Sequence, residues 1–160
     1  MPRQVTVWSM RSMGIAVQMT AKGRPTARVV VVEGNWAGPT LFDSFDLTST
    51  DDDLPTLLAT LGAGLRARVK GLSPDQVVLR RADLPAVASK KEGPRVRLLA
   101  EGALAACARD EVSAVVLLTG KDLAARSPAA SKADMDAHAE KVLPGENVEA
   151  SSAALVGLAP

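Results

Sequence analysis

Four consecutive valines, Val29-Val30-Val31-Val32, constrain this chain more than any other feature. Neighbouring side chains on a strand point to opposite faces, so this run has no polar face and belongs to a strand covered on both sides. Around it, Val5–Ser9, Gly14–Thr20, Ala27–Glu33 and Thr40–Leu47 are short and rich in β-branched or aromatic residues. Turn formers such as Lys22-Gly23-Arg24-Pro25 and Gly38-Pro39 separate them, and links this short predict an antiparallel meander. The pattern leaves open which of the four segments is an extra edge strand.

The period then changes. Leu54, Leu57, Leu58, Leu61, Leu65 and Val69 recur at helical spacing, with Pro55 in the first turn and Gly71 expected just past the end. Asp51, Asp52 and Asp53 stand where carboxylates favour a helix N-terminus, and they lack the alternating ligands and closing Glu of a calcium loop. After the Ser73-Pro74-Asp75 turn come a strand over Gln76–Arg80 and a helix over Arg95–Arg109, with Leu98, Leu99, Leu104 and Ala105 expected inward. A buried strand over Ser113–Leu118 and helices over Lys132–Leu143 and Glu149–Leu158 complete the chain. Strand, helix, strand, helix, strand predicts parallel pairing with right-handed crossovers, and no repeat or linker divides the expected single domain, 1–160.

Composition narrows the functional classes. Aromatic residues make up only 2% of the 160, with no Tyr, so stacking surfaces for bases are scarce. Cys107 is the single cysteine, which excludes an intramolecular disulfide and a thiolate zinc cluster and favours a reducing, cytoplasmic location. The opening Met1-Pro2-Arg3-Gln4 lacks an apolar leader, and no run approaches the ~18 apolar residues of a membrane span. Net charge is only +1, yet Arg66, Arg68, Lys70, Arg80, Arg81, Lys90, Lys91, Arg95 and Arg97 face just three acids between 66 and 97. An acidic partner, nucleic acid or protein, is expected to meet this middle segment.

The wording of several segments resembles one family. Asp53-Leu54-Pro55-Thr56-Leu57-Leu58, continuing through Gly64 to Ser73-Pro74-Asp75-Gln76-Val77-Val78-Leu79, is similar to the first helix and fourth strand of RuvC-type Holliday-junction resolvases. Leu99-Ala100-Glu101-Gly102-Ala103-Leu104-Ala105-Ala106 resembles that family's second helix, and Ser131-Lys132-Ala133-Asp134-Met135 its lysine-bearing helix start. Glu149 to Ala159 is similar to its closing alanine-rich helix. The resemblance implies an α/β fold of the RNase H-like, RuvC type: a mixed sheet whose antiparallel meander is followed by βαβ units, with helices on both faces. It also implies a homodimer and two-metal phosphodiester hydrolysis, in which clustered carboxylates hold magnesium or manganese.

Carried over residue by residue, that chemistry loses its ligands. The first-strand Asp position falls among Val7, Trp8 and Ser9, and moving it to Gly14–Thr20 still finds no acid. The fourth-strand Glu position falls on Arg80, and the closing-helix pair on Ala150 and Ala153, one residue from Glu149. No metal site and no cofactor are therefore expected, unless Asp43, Asp46 or Glu33 on the meander rebuild one. Asp43 and Asp46 are three apart, so on a strand they face opposite sides.

Other chemistries find no set of residues. His138 beside Asp134 and Asp136 reads as a surface or helix-packing residue, and Cys107 in its alanine-rich helix as a small hydrophobe. Thr119-Gly120-Lys121-Asp122 has Val115 where a phosphate loop needs glycine, and no Gly-x-Ser-x-Gly occurs. Gly62-Ala63-Gly64 suits close helix packing, and Trp8 and Trp36 suit either an interface or the core. The expected function is a catalytically inactive binding or assembly module, with nucleic-acid contacts at the middle basic residues and Lys132. The alternatives are a divergent metal-dependent nuclease and a structural subunit of a larger complex.

Overall fold

The computed structural model describes residues 9–83 and 91–160. Strands β1 (Arg11–Met19), β2 (Pro25–Glu33) and β3 (Thr40–Leu47) form the expected meander, followed by α1 (Leu54–Leu72) and β4 (Gln76–Arg80). Then come α2 (Glu92–Glu111), β5 (Val115–Leu118), α3 (Gly120–Ala125), α4 (Lys132–Val142) and α5 (Val148–Val156). The five strands lie in the order β3-β2-β1-β4-β5, with β1–β2 and β2–β3 antiparallel and β1–β4 and β4–β5 parallel. The mixed α/β sheet is thus the expected one. The strand predicted over Val5–Ser9 falls, except for Ser9, outside the described residues, as does Trp8; Ser9 itself precedes β1.

The valine run behaves as its pattern requires. Val29 and Val31 pack with Met13, Ile15, Val77 and Leu79 against α1 and α2. Val30 and Val32 pack with Ala16 and Val78 under the α3 to α5 layer. All four are buried. The two clusters are the two faces of one sheet.

Local chemistry sets the helix ends. Asp53 caps α1, its carboxylate accepting from the Thr56 N–H at 3.1 Å, which is the N-terminal role expected of the acidic triplet. The helix stops not at Gly71, which lies inside it, but at Ser73, whose left-handed φ of 48° lets its N–H reach the Val69 carbonyl. Helix α3 was not anticipated. Its start is Thr119-Gly120-Lys121-Asp122, where Thr119 and Asp122 exchange side-chain to backbone hydrogen bonds as a capping box.

Two burial expectations are corrected. Leu98 and Leu99 are 39% and 51% exposed, because α2 buries the i, i+4 stripe Val96, Ala100, Leu104 and Ala108 instead. Strand β5 is not wholly buried: it lies at one end of the sheet order, and Leu117 is 43% exposed.

Glycines bring layers together at two points. A Cβ on Gly14 of β1 would stand 2.1 Å from the Ala150 carbonyl oxygen and 2.2 Å from the Ala154 nitrogen, so α5 rests directly on the strand backbone. A Cβ on Gly62 would stand 2.5 Å from Cys107 Sγ, which is the close α1–α2 packing expected of that segment.

Candidate functional site

In sheets with parallel strands, ligand sites form beyond the strand carboxyl ends. Here β4 ends at Arg80, whose register partners are Ala16 on β1 and Leu118 on β5. A two-residue period puts Arg80 on the same face as Val78, under α3 to α5. Its side chain is only 5% exposed. Taking a guanidinium out of water is costly unless acids meet it, and two do. Arg80 Nη1 lies 3.3 Å from Asp136 Oδ1 on α4, and Nη2 lies 3.8 Å from Glu149 Oε1 on α5.

These pairs extend into a network. Ser152 Oγ donates to the same Asp136 Oδ1 at 3.0 Å. Arg97 of α2 reaches Glu149 Oε2 at 3.4 Å and Glu101 Oε1 at 3.0 Å. Glu101 is buried and also accepts from the Ala82 N–H at 3.1 Å; burial nevertheless pushes its carboxyl above the ordinary glutamate value. Asp122, beside the mouth, is held below the usual carboxylate range by its hydrogen bonds to Thr119. A cavity of about 170 Å³ opens on this cluster, lined by Arg80, Arg81, Ala82, Asp83, Arg97, Lys132 and Glu149.

Gly120 makes the cluster possible. A Cβ there would stand 2.9 Å from both Arg80 Nη2 and Lys132 Cε, so the first residue of α3 seats the guanidinium and the lysine stem side by side.

The carried-over positions need correction. Ser9 is exposed and outside the sheet; the central-strand residue beside Arg80 is Ala16. Ala150 and Ala153 are fully buried in the core between α5 and the sheet, and no hydrogen bond or ion pair links them to Arg80 among the described residues. The α5 side chains that reach the mouth cluster are Glu149 and Ser152, three apart and so on one helix face. Asp136, Ser152 and Ala16 also belong to the site, though the sequence pattern does not assign them to it. The i, i+3 spacing of Glu149 and Ser152 was the available signal; nothing local marked Asp136, 56 residues from Arg80.

The basic segment does not form one surface. Arg80, Arg81, Arg97 and Lys132 converge on the mouth. Arg66 pairs with Asp110 at 2.6 Å across α1 and α2, while Arg68 lies over the Phe45 ring and 4.0 Å from Asp43. Lys70 is in the last turn of α1, beside Ser73 and Pro74, towards the opposite end of β4. Lys91 is the exposed N-cap residue of α2, Arg95 lies in its first turns, and Lys90 falls outside the described residues.

The acids considered for a rebuilt site stay on the meander. Glu33 pairs with Arg11, Asp46 with Arg28 at 2.6 Å, and Asp43 faces Arg68. His138 stacks on Trp36 with centroids 4.4 Å apart, its Nε2 lying 2.8 Å from the Trp36 carbonyl oxygen, and so pins the β2–β3 loop to α4. Among the described residues, no three His, Cys, Asp or Glu side chains are grouped to hold a metal ion. Nor, among them, is any helix long and apolar enough to cross a membrane.

No protein-family model and no curated protein matches the chain by sequence. Solved structures do match. Thermus thermophilus RuvC is similar over 92% of this chain and 92% of its own, at TM-score 0.62 and 18% identity. T. thermophilus RuvC in complex with a Holliday junction substrate gives 0.65 and 14% identity over 92% and 91%. The yeast mitochondrial Holliday junction resolvase gives 0.58 and 12% identity over 92% of this chain and 77% of its own. Likeness at such identities speaks for the fold, and the sheet order agrees with it: this chain has the RNase H-like fold in its RuvC-type form.

Proposed function

We propose that this protein is a non-catalytic, nucleic-acid-binding module built on the RuvC-type fold. One observation carries the reading: the mouth of the sheet holds a buried arginine, Arg80, beside Ala16, and the nearby acids Asp136 and Glu149 are engaged with that arginine. Metal-assisted hydrolysis needs hard divalent cations on free oxygen ligands. A guanidinium at the centre of the donor set repels such ions, so the residues present do not fit the metals that the fold resemblance implies.

Binding is supported separately. Arg81, Arg97 and Lys132 surround the mouth with positive charge, and one structural neighbour is in complex with a Holliday junction substrate. We place the protein in the cytoplasm, on the strength of its single cysteine, and as a homodimer, which sedimentation will report as the mass of two 16.6 kDa chains.

The test is binding to a four-way DNA junction in EDTA at rising salt. With three phosphate contacts, affinity falls about 40-fold between roughly 50 and 200 mM salt. Salt-independent binding, or none, removes nucleic acid and leaves a structural subunit of a larger complex. A second reading, a divergent metal-dependent endonuclease, is favoured by Asp136 and Glu149 lying at the mouth and by neighbours that are resolvases. Junction cleavage with magnesium or manganese that Glu149→Gln abolishes would establish it; the expected result is intact junction at high protein concentration.

A further inference from the structure

We infer that the Arg80 guanidinium is the fixed counter-ion of an oxygen-ligand cluster, Asp136, Glu149 and Ser152, and occupies the place of a divalent cation there. This rests on the reading of the mouth as non-catalytic and says how that state is held. Two carboxylates from two helices converge on one cationic group, Asp136 Oδ1 at 3.3 Å and Glu149 Oε1 at 3.8 Å from Arg80, and the Ser152 hydroxyl donates to the same Asp136 oxygen at 3.0 Å. Carboxylate and hydroxyl oxygens are the donors that hard cations take. Here the two carboxylates serve an arginine instead.

The surroundings are shaped to that arginine. Gly120 leaves room for its Nη2 where any Cβ would intrude at 2.9 Å, and the Lys132 stem shares the same seat. Arg97 binds the other oxygen of Glu149 and links it to Glu101, adding a second positive charge to the cluster. Removing Arg80 deprives the Asp136 and Glu149 carboxylates of the cation they share, and the oxygens so freed are ones a divalent ion takes, with Arg81 and Lys132 still lining the cavity.

The cluster therefore exchanges its cation when Arg80 is lost. The experiment compares thermal unfolding in EDTA and in millimolar MnCl2 for the wild type, Arg80→Ser, Arg80→Gln and Arg80→Lys, with bound Mn2+ read by electron paramagnetic resonance. The wild type and Arg80→Lys are expected to melt at one temperature in both buffers and to bind no Mn2+. Arg80→Ser and Arg80→Gln are expected to melt lower in EDTA, to recover by several degrees with Mn2+, and to lose that recovery when Glu149→Gln is added. Stoichiometric Mn2+ on the wild type overturns the inference. So does failure of both neutral variants to gain stability or bind Mn2+, including the case in which both stay unfolded whatever the buffer. Junction binding is measured in EDTA, so its loss would sink the proposed function and leave this result standing, and the reverse holds equally.

Discussion

Arg80 makes demands on its neighbours that single substitutions expose. Its side chain is nearly fully buried while Asp136 and Glu149 are about one-third exposed. Arg80→Met should therefore cost about 3 kcal/mol, the lower end of the range for removing one partner of a buried ion pair, measured by urea unfolding. Glu101 shows the opposite case. Burial raises its pKa, so the folded state holds the proton more tightly than the unfolded one, and stability falls as pH rises above the unfolded value near 4.5. Glu101→Gln should flatten that fall in unfolding titrations above pH 4.5. Gly14 has no spare space: Gly14→Ala forces a methyl to within 2.2 Å of the α5 backbone and should cost about 3 kcal/mol or more, seen as a lowered unfolding midpoint. Ser151, buried with no hydrogen-bond partner among the described residues, should gain about 1 kcal/mol as Ser151→Ala.

Helix starts tie elements to the mouth. The Asn147 side chain accepts from the Ala150 N–H at 2.9 Å and so begins α5 two residues before Glu149. Asn147→Ala should cost about 1 kcal/mol by calorimetry, and because the frayed turn carries Glu149 it should also weaken the Arg80 pair. Helix α1 begins among carboxylates held below the ordinary aspartate value: Asp51 by hydrogen bonds from Ser49 and Thr60, and Asp53 by those from Thr56. A depressed folded pKa means that the unfolded state takes up protons first. This contribution is therefore full above about pH 3.8 and is lost as pH falls through the lower folded values. Acid titration followed by helical circular dichroism should show α1 loosening below pH 3.8 in the wild type and a flatter response in Asp53→Asn, which has no carboxylate to protonate there.

At the scale of the molecule, one sheet separates two apolar clusters, and the ion network closes the end where β1, β4 and α2, α4 and α5 come together. The elements were largely legible because periodicity is local: alternation, the four valines and the leucines of α1 name strand or helix wherever they sit. Order and spacing were enough to suggest the mixed sheet. Helix phase was not legible for α2, since Leu98 and Leu99 look inward until the sheet selects Val96, Ala100 and Leu104. Nor was the site, whose members are far apart in sequence: Arg80 meets Asp136 across 56 residues, and Glu149 and Ser152 take the mouth only because Gly14 admits Ala150 and Ala154 so closely. Local patterning names every described element except α3, and their order, along with the buried valine strand and an arginine at the end of β4. Which acids meet that arginine follows from three-dimensional packing, because the pairing depends on where α4 and α5 settle on the sheet, and close packing between distant segments sets that.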